Sequence, residues 1–526
     1  MFIVCKGISK KVTEGQTLTL DIQNGTVTVK ETGEVYPCDK LGEQAMMILN
    51  AGGIKALMKR LNLQSILSRQ QTQVKYYGRK GRKANMNNVY TEIIRLAEGM
   101  ENALTERRRD FHKYAEASWH EMRTSSLIAR RLTELGYEVL TGEDVCKKET
   151  RQGVPSQEEL DASYERAIAQ GADPEFVKRT KDGMTGVIGI LRAGEGPVVG
   201  MRFDIDALYV EERTDEEHTP AKEGFASVNP PMMHACGHDG HATIGLGVAE
   251  VLMQIKDQLH GTVKLIFQPA EESCGGARSI VANGHLDDVD YLMGAHIAGY
   301  EDPANKHDVL PGRDGGAAVR KYDVVFRGLS AHAGRNPEQG KNALLAAATA
   351  VVNLHAIPRN GFGFTRVNVG TFHGGTGRNV IADTAELGLD LRGETIEIIE
   401  YMRNYALKVI EGAALMHGVE YEVKEMGGSL PVVASRPLMA RVCRVCEEIG
   451  LDPYAVPDVN GNGGAEDVSY MMYRVQEHGG EATYMGIYTT IDAPPHNSGF
   501  NFGEKVLVNG VKMFCSVTYD ILGKEA

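Results

Sequence analysis

The residues best suited to chemistry are concentrated in residues 233–241, which read MHACGHDGH. This segment places three histidines, one thiol and one carboxylate within nine residues. An earlier apolar run ends in Asp204 and Asp206, and a later one ends just before Glu271 and Glu272. Such runs predict buried strands, which deliver polar residues to the crevice at their carboxyl ends. Thiolate, imidazole and carboxylate groups bind zinc and related ions. The pattern therefore predicts a metal site with a catalytic base.

Candidate metal ligands come from several separate segments. A single glycine separates Cys236 from His238, which lets both side chains point to the same side of a tight turn. His296 ends the next apolar run, and His496 follows two prolines late in the chain. Of the adjacent carboxylates at 271–272, one could bind metal while the other moves protons. Five ligands from four segments suit two metal ions better than one.

Several polar residues beside these motifs have more than one interpretation. For His234 and His241, which flank the candidate ligands, hydrogen bonding or packing is favoured over metal ligation. His112 is interpreted as structural, and Asp239 either supports a ligand histidine or caps the loop. Residues 466–467, a glutamate and an aspartate, are expected to cap the following helix rather than join the site.

Length and composition are typical of a soluble globular protein with several domains. A chain of 526 residues, of which 42% are apolar, is too long for one hydrophobic core. No apolar run approaches the roughly 18–20 residues that cross a membrane, and the first residues lack the apolar region of a signal peptide. The net charge of −13 disfavours nonspecific binding to nucleic acid. The eight cysteines lack disulfide-like spacing, which favours reduced thiols and a cytoplasmic location.

Residues 1–63 are predicted to form a small N-terminal β/α unit. Two alternating segments flank an Asn-Gly pair at 24–25, which is typical of a β-hairpin, and helical patterns follow. Residues 9–63, with an Ala-Gly-Gly before the last helix, resemble the small "swivel" subunit of isopropylmalate dehydratases. The resemblance implies a fold and no chemistry, because the segment offers no iron–sulfur ligand set.

Residues 64–88 are predicted to form a linker. They are rich in glutamine and asparagine and contain a basic run with two tyrosines at 75–83. Basic residues interleaved with aromatic ones could contact nucleic acid. A solvated linker is the favoured interpretation, because the run is short and the chain is acidic.

From residue 89 onwards, the hydrophobic pattern predicts an α/β catalytic domain. Strands alternate with helices, which is typical of a mostly parallel sheet flanked by helices on both faces. This domain is expected in two parts, residues 89–316 and 431–526, around an inserted α+β domain at 317–430. Half-exposed strands and an alanine-rich helix in the inserted part predict an antiparallel sheet covered by helices. The charged residues 147–182 are interpreted as a surface insertion.

The motifs, taken in order, resemble the dinuclear-metal amidohydrolase branch of the aminoacylase and carboxypeptidase superfamily. The order is HACGHDGH, FQPAEE, Gly-x-His, SAHAG, GRNVI and a late His-Asn. Hippurate hydrolases and auxin-conjugate hydrolases belong to this branch. Residues 108–116, 224–227 and 344–348 are similar to its aminobenzoyl-glutamate hydrolases, and the resemblance covers about residues 92–524. It implies a metallopeptidase-like catalytic domain with an inserted lid or dimerisation domain.

The resemblance implies a role for each matching residue. The implied metal ligands are Cys236, His238, Glu272, His296 and His496. Glu271 is then the general base, and Asp206 lies beside the metals and orients a ligand. His332 and Asn379 match lid residues that polarise the scissile carbonyl group. Arg392 matches an arginine that holds the substrate carboxylate.

The resemblance also implies two divalent metal ions per subunit. Asp204 stands where much of the superfamily has a ligand histidine, and Cys236 stands where it has a bridging aspartate. Both departures are normal in this branch and leave the metal open. The softness of a thiolate favours Zn²⁺, whereas the branch often uses Mn²⁺.

The implied substrate is a small N-acyl amino acid, with p-aminobenzoyl-glutamate favoured and a general N-acyl amino acid or hippurate substrate as the alternative. The implied assembly is a dimer formed through the inserted domain. The second subunit is either another copy or a homologous B-type subunit, and His332 reaches the neighbouring active site. A noncatalytic scaffold is the third interpretation, and retention of Glu271 with all five candidate ligands argues against it.

Overall fold

The structure is a computed structural model that describes residues 18–21, 26–30, 32–37, 83–300, 306–455 and 465–524. The chain divides into two compact units, Met1–Gly81 and Arg82–Ala526. Among the described residues, no helix combines the length and the apolar character needed to cross a membrane.

The first unit contains a three-stranded antiparallel sheet. Its strands are β1 (Leu18–Asp21), β2 (Thr26–Val29) and β3 (Val35–Pro37), in the order β1-β2-β3. The predicted hairpin is confirmed by the pairing of β1 with β2, although its turn at 24–25 lies outside the described residues. The helices expected after residue 42 and most of the predicted linker also lie outside them. The likeness to the swivel subunit therefore stays a prediction.

The second unit contains the remaining strands and all the described helices. Its strands are β4 (Glu138–Thr141), β5 (Val187–Arg192), β6 (Val198–Asp204), β7 (Leu208–Tyr209), β8 (Met232–Met233), β9 (Thr262–Gln268), β10 (Tyr291–Gly299), β11 (Val309–Leu310), β12 (Ala318–Arg327), β13 (Thr365–Gly374), β14 (Thr384–Gly393), β15 (Glu420–Ser429) and β16 (Glu481–Thr489). Its α-helices are α1 (Lys83–Glu98), α2 (Glu101–Lys113), α3 (Met122–Leu135), α4 (Gln157–Ala169), α5 (Thr219–Lys222), α6 (His238–Gln254), α7 (Ala277–Ala282), α8 (Ala343–His355), α9 (Ile396–His417), α10 (Arg436–Glu448), α11 (Val468–Glu477) and α12 (Val506–Leu522).

The predicted α/β fold is built around a seven-stranded sheet in the order β11-β16-β10-β6-β9-β5-β4. The four central strands, β16, β10, β6 and β9, run parallel. All but the first residue of β6, β9 and β16 are buried, whereas the second half of β10 is partly exposed. The outer strands β5, β4 and β11 run antiparallel to their neighbours, so the sheet is mixed. The alternation of strands with helices along the chain predicts the parallel strands at the centre of the sheet. The direction of an outer strand depends on the path of the segment that connects it to its neighbour.

Three helix boundaries differ from the expected ones, and the last of them changes the structure of the histidine motif. The amphipathic pattern predicts one helix over 92–112, but the chain breaks at Gly99 between α1 and α2. Glycine is unfavourable within a helix, which explains the break. Residues 83–88, expected in the linker, belong to α1. Helix α6 begins at His238, four residues before the expected start at Ala242, so the histidine motif forms its first turn.

A four-stranded antiparallel sheet forms the inserted domain, in the order β13-β14-β12-β15. Helices α8 and α9 cover one face, where Phe326, Ala346, Leu389 and Met402 are fully or almost fully buried. The expected sandwich of helices on an antiparallel sheet is thereby confirmed. Strand β15 completes the sheet. The hydrophobic pattern does not predict this strand, because its first half is mostly exposed and polar.

The insertion at 147–182 is more closely packed than a surface insertion. Leu160 and Ala167 on α4, together with Val177, bury their side chains against Met122 of α3. A Cβ atom at Gly153 would lie 2.9 Å from the carbonyl oxygen of Met426 and 3.7 Å from Cβ of Ser273. The insertion therefore contacts both the loop after β9 and strand β15 of the inserted domain.

Candidate metal and catalytic site

The candidate ligands lie where the central strands of the large sheet end. Strand β9 leads into the loop with Glu271 and Glu272, and β10 carries His296. The turn before α6 holds Cys236, and His238 is the first residue of that helix. The carboxyl ends of neighbouring parallel strands meet at one edge, which is why segments far apart in sequence converge there.

The structure brings the five predicted ligands together in overlapping groups. Within each group, the candidate ligand atoms lie within 4.8 Å of one another, and the groups are Cys236, His238 and His296; Cys236, Glu272 and His496; and His238, Glu271 and Glu272. The Sγ atom of Cys236 lies 3.3 Å from Nε2 of His296. Nε2 of His496 lies 3.4 Å from Oε2 of Glu272. Cys236 and Glu272 are thus placed between the imidazoles.

The chemistry of this cluster fits a bound cation. Nε2 of His238 and Oε1 of Glu272 are buried and have no hydrogen-bond partner among the described residues. Leaving a buried polar atom unpaired costs about 1–3 kcal/mol, a cost that metal coordination would offset. Burial and the neighbouring Glu272 carboxylate raise the pKa of the Cys236 thiol well above its ordinary value. A thiolate at this position therefore needs a positive charge beside it.

Backbone carbonyl groups orient two of the ligand histidines. Nδ1 of His238 donates a hydrogen bond to the carbonyl oxygen of Asp206 at 2.9 Å. Nδ1 of His296 donates to the carbonyl oxygen of Ile297 at 2.7 Å. In a neutral ring, each bond keeps the proton on Nδ1 and leaves Nε2 free to bind a metal ion.

The two flanking histidines have different environments. Nδ1 of His241 lies 2.5 Å from a carboxylate oxygen of Asp204, and Nε2 accepts a hydrogen bond from the amide of Ile297 at 2.8 Å. Both ring nitrogens are therefore engaged, which favours the hydrogen-bonding interpretation over ligation. His234 is buried, and neither of its ring nitrogens has a hydrogen-bond partner among the described residues.

Two buried carboxylates hold the loop that carries the adjacent glutamates. Asp206 accepts hydrogen bonds from the amides of Glu271 and Glu272, both at 3.0 Å. Glu121 accepts one from the amide of Ala270 at 2.8 Å. Three consecutive amides are thus fixed at a point where Ala270 has a φ of 53°. The Asp206 side chain orients the loop, and Glu121 is a contributor that the sequence motifs did not indicate.

Electrostatic surroundings distinguish Glu271 from an ordinary surface glutamate. Its side chain is buried, and burial together with the nearby carboxylates of Glu466 and Glu272 raises its pKa well above the usual value. A raised pKa lets a carboxylate both accept and return a proton near neutral pH. This is the behaviour required of a general base that later acts as an acid.

The expected capping role of residues 466–467 is wrong. Asp467 makes no side-chain hydrogen bond to the first turn of α11. Its carboxylate instead accepts hydrogen bonds from Nε2 of Gln268 at 2.8 Å and from the amide of Ala277 at 3.0 Å, and it pairs with Arg202. Glu466 pairs with Arg313 and accepts a hydrogen bond from the Tyr484 hydroxyl at 2.9 Å. Arg202 on β6 and Arg313 in the loop after β11 thus bind the two carboxylates in place of the helix end.

Asp239 connects the ligand helix α6 to helix α2. Its carboxylate accepts hydrogen bonds from Nε of Arg108 and Nδ1 of His112, both at 2.8 Å. All three side chains are fully buried, and Nε2 of His112 lies 3.0 Å from Glu212. Asp239 thus fixes the position of α6 without bonding to a ligand histidine, and His112 has the structural role expected of it.

The three predicted lid residues lie on the inserted domain. His332 and Asn379 are exposed and adjacent, since the amide of Ala333 donates to the carbonyl oxygen of Asn379 at 3.0 Å. Arg392 on β14 forms two hydrogen bonds to Asp390. In the part of the chain that the structure describes, no hydrogen bond or ion pair joins these three residues to the metal cluster.

Residues 200–520 match the sequence profile of Peptidase family M20/M25/M40. The chain is 45% identical to indole-3-acetyl-aspartic acid hydrolase of Enterobacter agglomerans, an alignment that covers 78% of this chain and 93% of the relative. It is 44% identical to one of the subunits of p-aminobenzoyl-glutamate hydrolase from Escherichia coli, with coverage of 77% and 92%.

Solved structures that are similar to the chain include the following two. The aminobenzoyl-glutamate utilization protein of Klebsiella pneumoniae has a TM-score of 0.69 at 38% identity, covering 81% of this chain and 97% of that one. A dinuclear metal binding peptidase of the M20 family from Bacillus subtilis has a TM-score of 0.53 at 25% identity, with coverage of 81% and 99%. The convergence of ligands, fold and sequence leads to one conclusion: the chain belongs to Peptidase family M20/M25/M40.

Proposed function

We propose that this protein is a metal-dependent amidohydrolase that cleaves the amide bond of N-acyl amino acids, with p-aminobenzoyl-glutamate as its substrate. The observation that carries the proposal is the convergence of five ligand side chains beside the buried carboxylate of Glu271. Two relatives with at least 44% identity are named for p-aminobenzoyl-glutamate and for indole-3-acetyl-aspartic acid. Both names join an aromatic acyl group to an acidic amino acid.

The cofactors of the proposed reaction are two divalent cations per subunit, Mn²⁺ or Zn²⁺. The residues that would hold them are Cys236, His238, Glu272, His296 and His496. Bound cations of this kind polarise an amide carbonyl group and make water a stronger acid. The thiolate ligand favours Zn²⁺.

The chain's own residues would move the proton and hold the substrate. Glu271 takes a proton from the attacking water and delivers it to the leaving amine. Asp206 and Glu121 keep the base in place by binding the amides of its loop. His332 and Asn379 stabilise the negative charge that develops on the carbonyl oxygen. Arg392 binds a substrate carboxylate through its planar guanidinium group.

The proposed assembly is a dimer through the inserted domain, with either a second copy or a homologous B-type subunit. Two observations support it. His332 and Asn379 are exposed, and among the described residues no hydrogen bond or ion pair joins them to the ligand cluster of their own chain. Strand β13 is the edge of its sheet, and its outer residues are largely exposed. A cytoplasmic location is also proposed, supported by the six free cysteines of the described residues.

A substrate panel tests the activity. The purified chain, loaded with Mn²⁺ or Zn²⁺, should hydrolyse p-aminobenzoyl-glutamate with the highest kcat/KM. Indole-3-acetyl-aspartate is the second candidate, because the relative named for it is equally similar. Hippurate and N-acetyl amino acids represent a general deacylase. Failure to hydrolyse any of them by a metal-loaded preparation, alone or with a B-type subunit, would refute the proposal.

The dimer model makes a separate prediction about two inactive variants. Glu271→Gln removes the base, and His332→Ala removes the lid histidine. If His332 acts in the neighbouring active site, a mixed dimer contains one site with neither change. Activity should then reappear on mixing, up to about one quarter of the wild-type value per subunit for random exchange.

Each variant measured alone provides the baseline for this experiment. Subunit exchange must be shown independently, for example by fluorescence transfer between labelled chains. A mixture that exchanges subunits and yet stays inactive would show that His332 acts within its own chain.

A further inference from the structure

The insertion at 147–182 carries an arginine, Arg166, that has no carboxylate partner among the described residues. Nη2 of Arg166, on α4, donates a hydrogen bond to Oγ of Ser163 at 3.1 Å. Its Nε is buried, and among the residues that the structure describes this nitrogen has no hydrogen-bond partner and the guanidinium group forms no ion pair. The protein carries a net charge of −13, so an arginine left without a counter-ion is unusual.

His120 and Tyr209 lie beside this arginine. Nδ1 of His120 is 2.8 Å from Oγ of Ser163, the same atom that accepts from Arg166. The ring of His120 packs edge-on against Tyr209, with 6.3 Å between ring centroids. Tyr209 is 63% exposed. Arginine, histidine and tyrosine thus supply three different hydrogen-bonding side chains, of which Tyr209 is the most exposed to solvent.

Both neighbours of Arg166 are close in sequence to residues that belong to the candidate site or support it. Tyr209 follows Asp206 by three residues and lies on strand β7. His120 follows Ser118 by two residues, and Oγ of Ser118 donates to the Asp206 carboxylate at 2.7 Å. The next residue after His120 is Glu121, which holds the amide of Ala270. His120 and Tyr209 are therefore connected to the loop that carries Glu271 through their chain neighbours Ser118, Glu121 and Asp206.

The protonation of this group suits an anionic ligand. Burial and the charge of Arg166 lower the pKa of His120 to about 4, so its ring is neutral at pH 7. Because Arg166 donates to Ser163, the Ser163 hydroxyl can donate to Nδ1 of His120, which leaves the ring proton on Nε2. Nε2 is then a donor with no partner among the described residues.

The nearest carboxylates are already engaged by other donors. Glu159 accepts hydrogen bonds from the amide and hydroxyl of Ser156. Glu116 accepts hydrogen bonds from the amides of Arg123 and Thr124 at 3.0 and 2.9 Å. Neither of them forms an ion pair with Arg166, so its guanidinium group remains available to a ligand.

We propose that Arg166, His120 and Tyr209 form the subsite for the side-chain carboxylate of the amino acid in the substrate. The subsite selects N-acyl conjugates of glutamate or aspartate over conjugates of neutral amino acids. This inference rests on the proposed amidohydrolase function and adds a second carboxylate-binding position to the one assigned to Arg392.

The test compares p-aminobenzoyl-glutamate with p-aminobenzoyl-glutamine, which differ only in a carboxylate and a carboxamide. Wild-type protein should favour the glutamate conjugate. Arg166→Met should lower kcat/KM for that conjugate by roughly 10- to 100-fold, the loss expected for a charge-assisted hydrogen bond. The glutamine conjugate should change less than about threefold, and Arg166→Lys should recover part of the loss.

A matched control lies on the same insertion. Arg179 is exposed, with its Nη1 atom 3.9 Å from Asp144, and Arg179→Met should leave both substrates unchanged. Circular dichroism and bound metal confirm that each variant is folded and loaded.

Four outcomes would overturn the subsite. The first is an equal kcat/KM of the wild type for both conjugates, and the second is a similar loss of kcat/KM on both conjugates in Arg166→Met. The third is a loss in Arg166→Met on p-aminobenzoyl-glutamate that is absent on acetyl-glutamate, which would place the effect at the acyl group. The fourth is a loss in Arg179→Met as large as that in Arg166→Met. The wild-type ratio decides the matter even if no Arg166 variant folds. If the wild type cleaves neutral conjugates as well as acidic ones, the amidohydrolase function stands and only the subsite fails. If it cleaves no conjugate at all, both proposals fail together.

Discussion

Replacing Glu271 by glutamine should reduce turnover by roughly 10²–10⁴ while leaving the metal content unchanged. The substitution keeps the size of the side chain and removes its ability to accept a proton. Asp206 should still hold the loop, because it binds the amide of residue 271 and not its side chain. Steady-state kinetics and elemental analysis on the same preparation measure the two effects separately.

The adjacent glutamate is the control for this experiment. Glu272 lies next to His238 and His496, at 3.7 and 3.4 Å respectively, so Glu272→Gln should lose both metal and activity. If Glu271→Gln were the variant that lost metal, the roles of the two carboxylates would have to be exchanged. Near-normal turnover in Glu271→Gln would eliminate this residue as the base.

Cys236→Ala should remove most of the bound metal and abolish hydrolysis. Cys236 belongs to two of the overlapping ligand groups, one with His296 and one with His496. Losing its sulfur therefore weakens both proposed metal positions at once. Elemental analysis should find close to two metals per wild-type chain and far fewer in the variant.

A second buried cysteine provides the matched comparison. Cys446 lies on α10 and is fully buried in the hydrophobic core. Cys446→Ala makes the same chemical change away from the cluster and should keep its metal and its activity. Wild-type protein with almost no metal after loading with Mn²⁺ or Zn²⁺ would contradict the metalloenzyme proposal.

The sequence predicted the parts of the site that lie in short motifs. Cys236 and His238 are separated by one residue, and Glu271 and Glu272 are adjacent, so their spacing already indicated a shared site. The structure places these residues within reach of one another, together with His296. A strand-end position for each motif was sufficient to predict this convergence.

The supporting residues could not be predicted in the same way. Glu121 bonds to Ala270, 149 positions away, and Gln268 bonds to Asp467 across 199 positions. Such pairs depend on which strands are neighbours in the sheet, and residue spacing does not contain this information. The same limit explains why Asp467 was expected to cap α11, a local role that residue type alone favours.

The path of the chain near the site was also only partly predictable. Two glycines and three histidines around Cys236 are typical of a loop, and yet α6 begins at His238. Tertiary contacts override weak helix propensity here, because Asp239 is held by Arg108 from α2. The charged residues of 147–182 were expected at the surface, but helix α4 also has a buried face opposite its exposed one.

The fixed loop at 270–272 restricts how Glu271, the proposed base, can move. Its three amides are all bonded to the buried carboxylates of Asp206 and Glu121, so the backbone cannot swing during a catalytic cycle without breaking these bonds. Rotation about the side-chain bonds of Glu271 moves its carboxylate without breaking any of these three bonds. The water oxygen and the leaving nitrogen must both lie within the arc swept by one carboxylate. A substrate would consequently be cleaved efficiently only if the proposed lid residues place its amide nitrogen within that arc.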